Sequence, residues 1–341
     1  MGVGNLSVAL WFAAVTVIRF AGGLDRDYLS DVHEVRGGFT TAVASWNAIT
    51  PPGSWIETQV RARVDDRWSS WYSMGSWSAD RTLGHRHSTS SPADADGRVD
   101  TDTLELDKPA EAWQLRVFFH PAASGALPSL SLVAMTTGPN APEGSKDPRL
   151  GWGMDLDVPE RTQRVHESPD ALGGGGDAWC SPTSVSMVMA YWAARERKPQ
   201  WDVSVPVAAG GTYDPKYQGC GNWPFNVAFA SEHGLAGWVE RLGGLDDMAR
   251  YIAAGVPLVA SIRVAPGELS GSPYEKTDGH LLVVRGFAAD GDVITNDPYA
   301  LPGHIRIVYP RAQFAHVWIG GSGGIVYVIA PPATLARFGG L

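Results

Sequence analysis

Cys180 stands in Gly176-Asp177-Ala178-Trp179-Cys180-Ser181-Pro182-Thr183-Ser184, which runs straight into Val185-Ser186-Met187-Val188-Met189-Ala190-Tyr191-Trp192. Pro182 suits the first turn of a helix, where its missing N–H costs nothing. Thr183 to Ala194 contains no Gly or Pro and is rich in Met, Val and Ala, which predicts a largely buried helix. A cysteine at that N-terminus feels unpaired backbone N–H groups and the positive end of the helix dipole, and both favour the nucleophilic thiolate. Gly173 to Gly176, just upstream, would let the backbone wrap closely around a substrate. The plain alternative is that Cys180 is a small buried hydrophobe.

A base and an orienting carboxylate follow about a hundred residues later. Leu281 to Phe287 reads as a strand, Ala288-Ala289-Asp290-Gly291 as a turn, and Asp292 to Asn296 as the returning strand. Folding this hairpin about its turn brings His280 near Asp297, which opens Asp297-Pro298. An aspartate there would fix the tautomer and orientation of the imidazole while the other ring nitrogen faces Cys180. Separately, a histidine beside a strand and an Asp-Pro turn are ordinary features. Together, in this order, they outline a Cys-His-Asp relay.

These residues carry a resemblance. The segment from about Asp155 to Pro332 resembles the bacteriocin-processing family of papain-like cysteine peptidases, the thirty-ninth cysteine family, and more closely its stand-alone bacterial relatives. The matching pieces are Leu156-Asp157-Val158-Pro159 with Gln163, then Trp179-Cys180-Ser181-Pro182-Thr183-Ser184 and Gly221-Asn222-Trp223-Pro224-Phe225-Asn226. Asp278-Gly279-His280 and Asn296-Asp297-Pro298 complete the set. The resemblance implies Cys180 as nucleophile, His280 as general base, Asp297 as its orienting residue and Gln163 as a donor to the oxyanion hole. The family's usual Cys-Gly-Pro is Cys-Ser-Pro here; Ser181 adds a side chain but keeps its backbone N–H. Gln163 lies seventeen residues before Cys180, across the Gly-rich insertion. The chemistry requires no cofactor and no metal.

Cys220 is the other cysteine, in the flexible Gln218-Gly219-Cys220-Gly221, and is the poorer nucleophile candidate. A permanent Cys180–Cys220 disulfide is the rival reading, since it would remove the thiolate. The 341 residues suffice for two domains. A formal net charge of −9 without a basic run argues against nucleic acid as a partner. Charged residues are 18%, with 40 Gly, 24 Pro and 14 Trp, a composition common in loop-rich β domains outside the cytoplasm. Leu6 to Ile18 has the length of a signal h-region but no preceding Lys or Arg, and its β-branched residues suit a domain strand better. No stretch reads as a membrane span. An extracellular or cell-surface location follows mainly from the resemblance.

The first half reads as β. Trp55 to Val64 alternates, with Ile56, Thr58, Val60, Ala62 and Val64 on one face. Asp65-Asp66-Arg67 makes a turn, Trp68 to Trp77 an aromatic return strand, and Trp113 to Phe119 and Leu130 to Thr136 give further strands. This spacing predicts a β-sandwich-like domain over 1–137, a linker at 138–150 and the peptidase domain over 151–341. Trp46, Trp55, Trp68, Trp71 and Trp77 either pack a core or form a platform for sugar rings or extended peptide, a cell-wall or glycan ligand. Arg61 and Arg63 share the polar face with Trp55 and suggest cation–π shielding. Asp94, Asp96, Asp100, Asp102 and Glu105 do not fit an EF-hand loop and read as a solvated acidic turn, with a different oxygen site as the other option. His85 and His87 lack partner spacing for zinc.

Between Cys180 and His280, Phe225 to Glu232 and Leu245 to Ala254 read as helices ended by His233-Gly234 and Gly255, and Val256 to Val264 as a buried strand. Ile305 to Tyr309, Phe314 to Ile319 and Ile325 to Ala330 complete a mixed sheet and its connections. The expected architecture is an α+β papain-like cysteine peptidase domain preceded by an all-β sandwich-like domain. The expected activity is hydrolysis of peptide bonds in a peptide or protein substrate. An amidase or transglutaminase acting on wall peptide, and a non-catalytic peptide- or glycan-binding protein, are the other classes the sequence leaves open.

Overall fold

The computed structural model describes residues 15–89, 93–139, 149–165 and 172–338. Its N-terminal half is built from β1 (Val15–Leu24), β2 (Tyr28–Leu29), β3 (His33–Ile49), β4 (Trp55–Val64), β5 (Arg67–Trp68), β6 (Tyr72–Trp77), β7 (Gly97–Asp100), β8 (Thr103–His120) and β9 (Ser129–Gly138). Among the described residues these nine strands form one antiparallel sheet, ordered β1-β9-β3-β8-β4-β5, with β6 on β4 and both β2 and β7 on β8. β4 follows its sequence pattern: the five residues assigned to one face are buried and their neighbours half-buried. Strand pairing thus joins all nine strands, where a sandwich would pack two sheets face to face. The long strands β3 and β8 shift register between Glu34 and Phe39 and again before Thr41. Gly37 and Gly38 there adopt φ of 86° and 75°, which other residues rarely take. The expected Trp68–Trp77 strand is split, because Ser69 turns inward: its N–H donates to Ala62 O and its Oγ accepts from Ala62 N–H.

The second half contains β10 (Met154–Asp155), α1 (Cys180–Glu196), α2 (Val205–Thr212), α3 (Trp223–Glu232), β11 (Ala236–Arg241), α4 (Leu245–Ala253) and β12 (Leu258–Val264). It continues with β13 (Thr277–Phe287), β14 (Val293–Asn296), β15 (Arg306–Tyr309), α5 (Arg311–Ser322), β16 (Ile325–Ala330) and α6 (Pro332–Leu335). Among the described residues seven strands pair in the order β11-β16-β12-β13-β14-β15, with β10 on β13. Every strand pair in this sheet is antiparallel, which corrects the expected mixed sheet. The Phe314–Ile319 stretch lies inside α5, a connection that crosses from β15 back to β16. No helix of the described residues is long and apolar enough to cross a membrane.

Helix α1 is buried continuously from Ser181 to Ala193, as its composition predicts. Its three serine hydroxyls have specific partners: Ser181 Oγ pairs with Tyr327 OH at 2.9 Å, Ser184 donates to Leu281 O, and Ser186 donates to Thr183 O, whereas the buried Thr183 Oγ1 has none.

The two sheets share one hydrophobic core. Strand β11 is an edge, and its backbone groups are satisfied by side chains of the other sheet. Asn47 bonds both N–H and C=O of Gly237 (3.0 and 2.8 Å), Ser45 Oγ accepts from Val239 N–H, and Thr136 Oγ1 donates to Val239 O. Phe225 of α3 packs against Trp46 and Trp77, both buried. Two of the five clustered tryptophans are therefore core residues. Trp55 is stacked between His85 and His120, and Arg61 lies over Trp68 and Trp71 (4.4 and 4.7 Å), so the cation–π shielding falls on a different pair of rings from the one expected. Val15 to Ile18 of the apolar N-terminal run belong to β1; the earlier part lies outside the described residues, as does most of the expected linker, whose first residue Gly138 ends β9.

Glu240 on β11 gives a first test of this core. Buried, it accepts hydrogen bonds from Trp238 Nε1 (2.8 Å) and Tyr251 OH (2.6 Å), and burial pushes its carboxyl up to about 7. A raised carboxyl favours the neutral form in the fold. That contribution is full below the unfolded value and is lost as pH rises through about 7. Glu240→Gln should therefore lose less stability than the unsubstituted protein between pH 5 and 8.5, by about 1–3 kcal/mol in urea unfolding. An equal loss in both proteins would place the titration elsewhere.

Candidate active site

A 3-10 turn at Gly175–Ala178 delivers the chain to Trp179, whose carbonyl accepts from Thr183 N–H and so begins α1 with Cys180 as its first residue. Trp179 is buried and its indole donates to Leu172 O, which anchors the segment just before the thiol. Cys180 is half-buried and lines a cleft of about 860 Å³ together with His280, Gln163, Tyr274 and Tyr299.

His280 lies on β13, opposite Ile262 of β12. The β13–β14 hairpin pairs Val283 with Asn296, and a register shift after Val284 lets Asp297 reach the imidazole. His280 Nε2 is 2.8 Å from Asp297 Oδ1, and the thiol of Cys180 hydrogen-bonds the same ring, which leaves Nδ1 for the sulfur. The structure thus brings together the three residues that the sequence singled out. Asp297 is fully buried and receives three further donors: Tyr309 OH at 2.9 Å, Tyr274 OH at 3.0 Å and the Tyr299 N–H at 3.0 Å.

The electrostatics follow from these contacts. Burial alone would raise the Cys180 thiol. The hydrogen bond and charge of His280, with backbone N–H groups of Leu281 and Ser181, outweigh it and hold the thiol below its ordinary value. Burial likewise acts to lower His280, but Asp297 and Cys180 raise it. Asp297 is held below the usual carboxylate range against its burial, by His280, the Tyr299 N–H and Tyr309. The arrangement favours a thiolate–imidazolium pair backed by a carboxylate.

Gln163 is buried beside this group. Its backbone N–H donates to Pro298 O and its Nε2 to Asp177 O (2.9 Å), while Oε1 has no partner. The segment that precedes it is pinned by Asn296, whose amide donates to Val158 O and Pro159 O, and by Arg285, which pairs with Asp155 at 2.6 Å. Both cysteines are free thiols, and the rival bridge is not formed. Cys220 is buried, donates to Leu172 O and Ala209 O, and has its thiol pushed up to about 12 by burial.

The acidic run in the first half is a solvated turn only in part: Asp94 and Asp100 are exposed, but Asp96 and Asp102 are buried. Asp94 accepts from Tyr72 OH and from the N–H groups of Asp96 and Gly97, Asp96 pairs with Arg67, and Asp102 is buried. Among the described residues no group of three or more His, Cys, Asp or Glu converges as a metal site. Sequence reasoning missed Tyr274 and Tyr309; only the strand around Tyr309 was legible, not its hydroxyl's target.

Two family models match the chain: the Peptidase C39 N-terminal domain over residues 26–138 and the Peptidase_C39 like family over residues 155–324. The chain belongs to the C39 peptidase family. This C39 family protein is also similar to a solved putative C39-like peptidase from Bacillus anthracis, at 14% identity and a TM-score of 0.37. That match covers 52% of this chain and 97% of that one. A structure of the infectious bursal disease virus Gt strain matches at 10% identity and a TM-score of 0.20, covering 40% of this chain and 33% of that chain. No curated protein matches. C39 membership supports a peptidase-type function and, with it, a protein or peptide substrate.

Proposed function

We propose that this C39 family protein is a papain-like cysteine peptidase in which Cys180, His280 and Asp297 form the catalytic triad. The thiolate of Cys180 attacks the carbonyl carbon of a peptide bond, and the oxyanion that forms is held by the Cys180 backbone N–H and the second amide hydrogen of Gln163. The His280 imidazolium protonates the departing amine, leaving a thioester on Cys180. His280 then takes a proton from water, which attacks the thioester and releases the carboxylate product and the thiol. Asp297 holds the ring throughout. The observation that carries this reading is His280 fixed at 2.8 Å on a buried Asp297 with its other nitrogen turned to a thiol at the head of α1.

Within the same reading, residues 1–137 and 151–341 are two domains joined at 138–150, the first built on the single nine-stranded sheet. The protein acts at the cell surface or outside the cell, a reading that rests mainly on the family resemblance and fits the low charge content and abundance of Gly, Pro and Trp. A cell-wall or glycan ligand for the first domain would have to use faces other than those of buried Trp46 and Trp77.

The test is alkylation with iodoacetamide from pH 5 to 9, with mass mapping of the labelled thiol. Cys180 should react well below the ordinary thiol value near 8.5, and Cys220 should stay unlabelled in native protein. A Cys180 that reacts only as an ordinary thiol would remove the proposed nucleophile and leave a binding protein on a peptidase fold.

A further inference from the structure

One wall of the cleft around Cys180 comes from the other half of the chain. Asp100, Thr101, Asp102, Thr103 and Glu105, at the tip of the β7–β8 hairpin, line it together with His280 and Gln163. The tip is a tight turn, with Asp102 N–H donating to Asp100 O at 2.7 Å and Thr101 at φ 57°. Its geometry turns the Asp102 carboxylate inward, away from solvent. Asp102 Oδ2 accepts the backbone N–H of Trp223, the first residue of α3, at 2.8 Å, and Oδ1 accepts from Thr103 Oγ1 at 3.0 Å. An α3 donor that would otherwise be orphaned at the helix start is thus satisfied across 121 residues of sequence.

The loop that leads into Trp223 supplies a second stretch of the cleft lining, residues 217–221. Its far end is held in the same way. Asp214 is fully buried, and its Oδ1 accepts the N–H of Ser88, from the first half, along with those of Lys216 and Tyr217, while Oδ2 accepts from Asn222 Nδ2. The middle of the loop lies against the segment before Cys180: a Cβ on Gly173 would meet Gln218 O at 2.4 Å. Both ends of a cleft-forming loop are therefore tied to the N-terminal half, one through Asp102 and one through Asp214.

We propose that the N-terminal half is a working part of the peptide-binding cleft. The β7–β8 tip is a wall against which an extended peptide lies, and Asp102 is a positioning residue that fixes the loop 214–223 through the Trp223 N–H. The proposal rests on the peptidase reading above. It predicts that Asp102 governs recognition of peptide and leaves the reactivity of Cys180 untouched.

Two probes of Cys180 separate these effects: iodoacetamide, which needs no cleft, and an epoxysuccinyl dipeptide, which must occupy it. In the unsubstituted protein the dipeptide probe should label Cys180 saturably. In Asp102→Ala the iodoacetamide rate should stay within about twofold, whereas labelling by the dipeptide probe should weaken about tenfold through poorer binding, with the limiting rate kept. Asp102→Asn retains a carbonyl oxygen for the Trp223 N–H and an amide that Thr103 Oγ1 can accept, and should restore most of the loss. An unchanged dipeptide rate in Asp102→Ala, or a parallel fall with both probes, overturns the wall while leaving the peptidase reading intact. An Asp102→Asn protein as weak as Asp102→Ala overturns the positioning role. Absence of saturable dipeptide labelling in the unsubstituted protein, with iodoacetamide still reacting, defeats the peptidase reading itself.

Discussion

His280→Ala is expected to shift the alkylation profile of Cys180 upward in pH and to reduce peptide hydrolysis by about a thousandfold or more. Burial alone pushes this thiol up, and what reverses the push is chiefly His280, through its hydrogen bond and its charge. With the ring gone, the N–H groups of Leu281 and Ser181 and the helix N-terminus are left to oppose burial, so the thiol should ionise at higher pH. The same pair sets the pH dependence of the intact protein. Its thiol lies below the ordinary value and its imidazole above, so activity should rise as the thiol ionises and fall again on the alkaline side as the imidazolium loses its proton. Alkylation needs only the thiolate, so the alkaline limb belongs to peptide hydrolysis and not to labelling. Stopped-flow alkylation followed by mass mapping reads the shift of the thiol, and the pH profile of hydrolysis in the unsubstituted protein reads the alkaline limb. A His280→Ala protein that labels at low pH as fast as the parent would show that the helix terminus, not the histidine, activates Cys180.

The residues that meet at this site differ in how visible they were in the sequence, for reasons of distance along the chain. Cys180 announced itself locally, through Pro182 and the apolar run behind it. His280 and Asp297 lie on one hairpin, seventeen residues apart, so a turn and two strands sufficed to place them together. β4 was legible residue by residue because one of its faces is buried and the other half-exposed, which writes a period of two. The insertion of β16 between β11 and β12 could not be read, since it depends on α5 carrying the chain back across the sheet. Nor could the role of Asp102, whose partner is 121 residues away and is a backbone N–H with no side-chain signature. An acidic run reads as solvated until the helix that needs one of its carboxylates is in view. Tyr309 was placed on a strand by its neighbours, but the direction of its hydroxyl is set by β14 beside it.

Asp297 should separate orientation from stability more sharply than any other residue of the site. It is fully buried with four donors converging on it, from His280, Tyr309, Tyr274 and the Tyr299 N–H. Asp297→Ala strips the acceptor from all four and leaves a buried imidazole beside a thiol with nothing to hold its tautomer. A cost of about 3–5 kcal/mol in unfolding free energy and a loss of activity of about a thousandfold or more are expected. Asp297→Asn keeps the shape. Its carbonyl oxygen can accept from His280 Nε2 and the Tyr299 N–H, and its amide can donate to the two tyrosine hydroxyls, which accept as readily as they donate. The ring stays oriented but loses its carboxylate, so the asparagine protein should retain much more activity than the alanine one and titrate its imidazole lower. The sign for stability follows from the lowered carboxyl: the stabilisation is present above the unfolded value and is lost as pH falls through the folded one. Acid unfolding followed by near-ultraviolet circular dichroism should therefore flatten in Asp297→Asn relative to the parent. Equal activities in the alanine and asparagine proteins would mean that the packing around His280, with the Tyr274 ring edge-on at 4.9 Å, orients the imidazole without its carboxylate.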